Sequence, residues 1–145
     1  MPDVVPYLRL TREGAFTVLN AALAKAEQLD VPQCVAVVDS GGHLLAFARM
    51  DGGRPFSNDS AIAKARTAIS DRAPTGGWRP PDVQVQIAFA TRGKVTSLRG
   101  GLPLIVEGHT IGGIGVASGT PAHDYTVACA GVAALAGAET FADPA

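Results

Sequence analysis

Between Thr11 and Leu29 the apolar residues Ala15, Val18, Leu19, Ala22, Leu23, Ala26 and Leu29 recur every three or four positions, and Arg12, Glu13, Asn20, Lys25 and Gln28 fall outside that stripe. The spacing predicts an amphipathic helix over 11–29, with Thr11 as N-cap and Asp30-Val31-Pro32 as stop. Two strands follow, about 33–39 and 43–50, turning at Ser40-Gly41-Gly42, a hairpin signal. Ser57 is then expected to cap a second helix over 57–70, whose inward face carries Ile62, Ala65 and Ile69 with Ala61 and Ala68.

The Pro- and Gly-rich stretch 71–81 reads as loop, and 82–99 as a short helix followed by irregular chain. A second hairpin, about 102–106 and 109–117, turns at Glu107-Gly108. The last helix starts at Pro121, a favoured first-turn residue, and runs to about Ala138. The order α-β-β-α-(α)-β-β-α predicts an α+β fold, an antiparallel sheet with helices packed on it, in a single domain spanning 1–145.

From Val127 to Ala138 every residue is apolar or glycine. A helix that is hydrophobic all round must be covered all round. One face can lie on the sheet, and an identical subunit is the expected cover for the other, which predicts a homo-oligomer. The alternative is that the first helix covers it within the chain.

Twelve basic and thirteen acidic residues give a net charge of −1. They are scattered, so no footprint for nucleic acid or a membrane surface is expected. The N-terminal Met1-Pro2-Asp3-Val4-Val5-Pro6 lacks the pattern of a secretory signal, and the longest apolar run is too short to span a bilayer. Cys34 and Cys129 read as buried thiols in a reducing compartment, so a cytoplasmic location is expected.

Gly113-x-Gly115-x-x-x-Gly119 lies between a strand and a helix, but misses the dinucleotide fingerprint by one residue and is not followed by a second strand. These glycines read instead as points of close backbone approach. Ser60 and Lys64 are one residue too far apart for a serine–lysine nucleophile motif. His43, His109 and His123 sit near turns or a helix start, and no ligand spacing supports a metal site.

The segment from Arg49 to Ser57 carries more chemistry. It leaves a strand, turns and opens a helix on which Ser60, Lys64 and Thr67 share a face. Arg49, Asp51, Ser57 and Lys64 could converge there on an anionic group, with the helix N-terminus adding amide donors. The bland alternative is that Lys64 lies along the apolar stripe and reaches out to water. Asp39 stands at the turn end of its hairpin, roughly 15–20 Å from Arg49 at 3.3 Å per residue, and is expected to organise the Ser40-Gly41-Gly42 turn.

The chain resembles the GlcG/HbpS-like family, which also supplies the C-terminal domain of PduO-type proteins. The resemblance rests on Val35-Ala36-Val37-Val38-Asp39-x-Gly41-Gly42, Arg49-Met50-Asp51-Gly52, Ser57 and Ala63-Lys64-Ala65-x-Thr67-Ala68. It continues through Gly100-Gly101-x-Pro103 and Gly112-x-x-Gly115-Val116-x-Ser118-Gly119 to Asp124, in family order over about 8–138. It implies a three-layer α/β/α domain of profilin-like outline, an oligomer, and binding of a small molecule, haem in some members. Arg49, Asp51, Ser57, Lys64, Gly100, Gly101, Ser118, Gly119 and Asp124 are then the candidate ligand-binding residues. The haem-binding members take an iron ligand from a first-helix histidine, and residues 11–29 contain none.

Three readings are ordered by this evidence. The first is a protein that binds or senses a small, anionic, planar metabolite. The second is a small-molecule catabolic enzyme performing proton transfer, hydration or deamination. In it Lys64 is the acid/base, Arg49 the carboxylate clamp, and the amides near Gly101 and Gly119 are oxyanion donors. The third is a haem-binding protein that recruits His43, His109 or His123.

Overall fold

A computed structural model describes residues 1–143. Its elements are α1 (Arg12–Leu29), β1 (Cys34–Asp39), β2 (Leu44–Arg49), α2 (Ser57–Asp71), α3 (Pro81–Ala90), β3 (Gly101–Val106), β4 (His109–Ala117) and α4 (Pro121–Ala133). The Thr11 hydroxyl accepts from the Gly14 amide at the start of α1. At its end, Asp30 turns left-handed and the Val31 amide returns to Ala26 O, closing the helix.

The two hairpins pair into one antiparallel sheet in the order β2-β1-β4-β3. Glu107 and Gly108 both take positive φ, the geometry of a two-residue hairpin turn whose twist matches that of the strands. Each hairpin carries one break in register, at Val37/Val38 and at Leu104/Ile105, and away from these the strands alternate. Val35, Val37, Leu102, Leu104, Ile114 and Val116 face α1 and α4, whereas Cys34, Ala36, Gly113, Gly115 and Ala117 face α2. The fold is therefore mixed α+β, with helices on both sides of the sheet.

Three local expectations change. The helix after Ser57 carries no side-chain cap, because the Ser57 amide already bonds to Arg54 O and draws Ser57 into the first turn. The buried stripe of α2 is Ser57, Ala61, Ala63, Lys64, Ala65, Thr67 and Ala68, while Ile62 and Ile69 lie half-buried at its flanks. Alanine wins because α2 sits almost backbone to backbone on β4. A Cβ on Gly115 would lie 1.9 Å from Ala61 O, and one on Gly113 would lie 2.8 Å from Ala65 O. The repeated glycines of β4 thus serve contact between elements.

The third change concerns the apolar C-terminal run. α4 ends at Ala133, not about 138; the Leu135 amide bonds to Val132 O, and Glu139 donates to Ile105 O, laying the chain along the edge of β3. α1 packs along α4, with Gly131 lying against Val18. The alternative in which the first helix covers the apolar helix is the one realised, so α4 by itself no longer calls for a second subunit. The large exposed side chains lie elsewhere, among them Val83, Val85 and Phe89 on α3.

The tight seat of α2 on β4 generates a direct test. Gly115→Ala must push the helix off the sheet and should cost about 3 kcal/mol or more, the upper end for overpacking. Gly76, which has nothing within 4 Å of an added Cβ, should accept alanine within about 0.5 kcal/mol. Urea unfolding midpoints of the two variants check the contrast; equal midpoints would refute the tight seat.

Candidate functional site

One cavity of about 220 Å³ opens beside the first half of α2, against the strand–helix junction after β4. Ser57, Ser60 and Lys64 reach it from α2, one turn apart on the same face. Ala117, Ser118 and Gly119 supply the rim after β4, Pro121 and Asp124 come from the first turn of α4, and Leu98 and Arg99 from the segment before β3. Arg54 and Phe56 close it from the loop before α2.

Lys64 is the centre of this arrangement. It is 3% exposed, and its Nζ donates to Val116 O at 2.7 Å and to Asp124 Oδ2 at 2.9 Å. The reading in which Lys64 reaches out to water is therefore corrected: the β4 glycines hold α2 so close that the lysine stem reaches the C-terminal end of β4 and a buried carboxylate. An ammonium has three donors, and two have acceptors here.

Asp124 is equally well held. Its Oδ1 accepts from the Gly119 backbone amide at 3.0 Å; the buried Gln33 side chain, its amide assigned in the orientation that satisfies its neighbours, donates to the same oxygen at 2.9 Å and to Ala117 O at 2.7 Å. Thr120 caps α4 by accepting from the His123 amide, so Asp124 sits in a helical first turn, where negative charge is favoured.

The sequence-derived candidates divide between those brought together and those left apart. Ser57, Lys64, Ser118, Gly119 and Asp124 share the cavity. Gly100 stands behind it: an added Cβ would lie 3.1 Å from Lys64 Nζ. Gly101 is in β3, its amide donating to the Thr75 hydroxyl. With the Gly119 amide committed to Asp124, neither of these two N–H groups is available as an oxyanion donor. Arg49 and Asp51 do not line the cavity; both are exposed, Arg49 ending the edge strand opposite Cys34. A tight turn through Asp51, closed by the Gly53 amide on Met50 O, separates Arg49 from the helix.

The arginines that do reach the cavity are Arg54 and Arg99. The Arg54 amide donates to the Ser118 hydroxyl, tying the loop before α2 to the β4 exit. The Arg99 guanidinium stacks 4.3 Å from the Tyr125 ring centroid. Neither is ion-paired among the described residues. The cavity is bounded by three cations and one carboxylate, and that carboxylate is spent on Lys64. For Arg54 the proximity of its segment to Ser57 was a usable signal; Arg99 carried none, since its segment has no periodicity.

The remaining candidates lie apart. Asp39 accepts from the amides of Gly41 and His43, as expected of a turn organiser. Burial alone would raise its carboxyl, but those hydrogen bonds outweigh it and hold the group below the usual carboxylate range. Burial pushes both the Cys34 and Cys129 thiols up, which makes them poor nucleophiles. His43, His109 and His123 are exposed and none lines the cavity.

Comparison with known proteins agrees with this fold. A family model described as "Haem degrading protein HbpS-like" matches residues 10–133. Protein GlcG of Escherichia coli K12 is 39% identical over 107 residues, which is 74% of this chain and 80% of GlcG. A solved structure of PduOC in complex with heme has a TM-score of 0.80 at 28% identity, covering 93% of this chain and all of that one. A double mutant of Streptomyces reticuli HbpS gives 0.77 at 36%, covering 92% and 91%.

The buried pair sets the test for this site. Lys64→Met strands the Asp124 carboxylate and should destabilise the fold by about 3–5 kcal/mol. Adding Asp124→Asn to it should cost less than the sum of the single changes, with a coupling of about 0.5–3 kcal/mol by chemical denaturation. Strict additivity would show that the two groups do not depend on each other.

Proposed function

The chain belongs to the HbpS-like family, and on that premise we propose that it binds a small anionic, planar metabolite in the Lys64 cavity as a cytoplasmic binding or sensing protein. The observation that carries the proposal is the charge of the site. Lys64 and Asp124 neutralise each other at its floor, while Arg54 and Arg99 remain unneutralised at its mouth. A carboxylate placed between them receives two charge-assisted forks and the spare ammonium donor, and Phe56, Leu98 and Pro121 offer apolar walls to its body. No helix of the described residues is long and apolar enough to cross a membrane.

This geometry favours binding over turnover. The Lys64 Nζ already donates to a carboxylate and a carbonyl, which hold it away from a substrate. The two amides suggested as oxyanion donors have acceptors of their own. Haem does not fit the cavity. No histidine lines it to ligate the iron, and about 220 Å³ suits a small acid better than a macrocycle.

Self-association belongs to the same proposal, on a different surface from the one the sequence pointed to. The apolar face of α3, with Phe89 82% exposed, is the better candidate for contact between subunits. Light scattering at micromolar concentration should give at least twice the 14.8 kDa chain mass, and Phe89→Glu should lower it. A monomer in the wild type would remove the oligomer.

Benzoate, a small planar carboxylate, is a suitable probe of the cavity. Calorimetry should show saturable binding that Arg54→Gln and Arg99→Gln each weaken about 10- to 150-fold, the loss of one charge-assisted hydrogen bond of about 1.5–3 kcal/mol. Affinity unchanged in both variants would take the ligand out of this cavity.

A further inference from the structure

The other flank of α2 carries a second cavity, of about 520 Å³, lined by the β1–β2 turn, by Arg66, Ile69 and Ser70, and by the 90–95 segment after α3. Three of its lining side chains are Arg66, Arg92 and Lys94, and no aspartate or glutamate lines it. The same three border an adjoining cavity of about 420 Å³ that also touches Asp59. None of the three is ion-paired among the described residues.

The cations are brought together by a fixed frame. Arg66 is half-buried, and its Nε donates to Gly42 O at 3.0 Å, which leaves the outer edge of the guanidinium free. Arg92 and Gly93 both take positive φ, and the Gly93 amide returns to Ala88 O at 2.7 Å. The Lys94 amide bonds to Thr91 O, and two residues on the Thr96 amide bonds to the Thr67 hydroxyl of α2. The segment carrying Arg92 and Lys94 is thus pinned to the helix that carries Arg66. His43 also lines the cavity, but its Nδ1 lies 3.2 Å from Asp39, so that ring already has an acidic partner.

Three like charges held around one cavity repel one another unless an anion sits between them. We infer that this cavity is a second binding site, for a small anion bearing at least two negative charges, such as a phosphate ester, pyrophosphate or polycarboxylate. Arg66 and Arg92 grip it through planar forks and Lys94 through a point charge, with any carbon portion resting on Ile69, Ala90 and Val95. The volume lies within the roughly 300–1,000 Å³ range of small-molecule sites. The inference is independent of the Lys64 cavity, which faces the opposite flank of the same helix.

Calorimetry with inorganic pyrophosphate, repeated with citrate, tests it on the full chain at low ionic strength. Arg92→Asn with Lys94→Gln is the informative double variant, because both side chains are exposed and asparagine tolerates the left-handed backbone at position 92. Saturable one-to-one binding of either probe is expected. The double variant should weaken it at least tenfold, while Arg54→Gln leaves it unchanged. The preferred probe then tells phosphate from carboxylate chemistry. Absence of saturable binding of both probes, or affinity unchanged in the double variant, overturns the site. So does a loss caused by Arg54→Gln instead, which would assign the anion to the other cavity.

Discussion

The close seat of helix α2 on strand β4 governs this structure. With an added Cβ at Gly115 only 1.9 Å from Ala61 O, the helix and strand meet through their backbones. Side chains larger than alanine are excluded from the line of contact and displaced to its flanks, where Ile62 and Ile69 are found half-buried. The same proximity lets a lysine in the middle of α2 reach the C-terminal end of β4 and donate to Val116 O. A wider spacing of helix and strand would hold the ammonium further from that carbonyl.

A buried ion pair is an uncertain source of stability, since the desolvation of both charges offsets much of their attraction. Here the surroundings lower that cost. The two oxygens of Asp124 accept from Lys64, the Gly119 amide and the Gln33 amide, and the helical first turn adds a favourable dipole. What the pair achieves is placement: it fastens α2, the β4 exit and the start of α4 to one point. The surfaces of those three elements then form a cavity, and the surplus positive charge in it comes from arginines outside the pair.

Most of the architecture was legible in the sequence because both hairpins announce themselves. Ser40-Gly41-Gly42 and Glu107-Gly108 fix the strand pairing, and alternation then decides which residues face which helices. Local hydrophobicity points Ile62 and Ile69 inward, and the distance between α2 and β4, a tertiary quantity, overrules it. Ser57 fails as a cap for a local reason, since its amide bonds to Arg54 O and draws it into the first turn. The apolar run after Val127 was read as a continuous helix because nothing polar interrupts it. Its end at Ala133 is set instead by the Ala138 bridge to Val106 and the Glu139 bond to Ile105, which draw the chain to the edge of β3. Lys64 and Asp124 were both legible as candidates, but their pairing was not, since sixty residues separate them.

Arg49 and Arg54 show why a site is harder to read than a fold. Both lie in the segment that leaves β2 for α2, and both carry the same group. A single turn, closed by the Gly53 amide on Met50 O, leaves the first on the outer edge of the sheet and delivers the second to the cavity. Residue type and spacing cannot separate these outcomes, because the deciding variable is the direction in which the chain emerges from the turn. The two flanks of α2 extend the same logic. Lys64 and Arg66 are two positions apart, which on a helix places them about 200° round the axis from one another. One cation is therefore committed to a carboxylate at the start of α4, while the other stands with Arg92 and Lys94 on the opposite flank. The helix that closes the core thus separates two positively lined cavities of different character, one whose floor is already neutralised and one without a lining carboxylate.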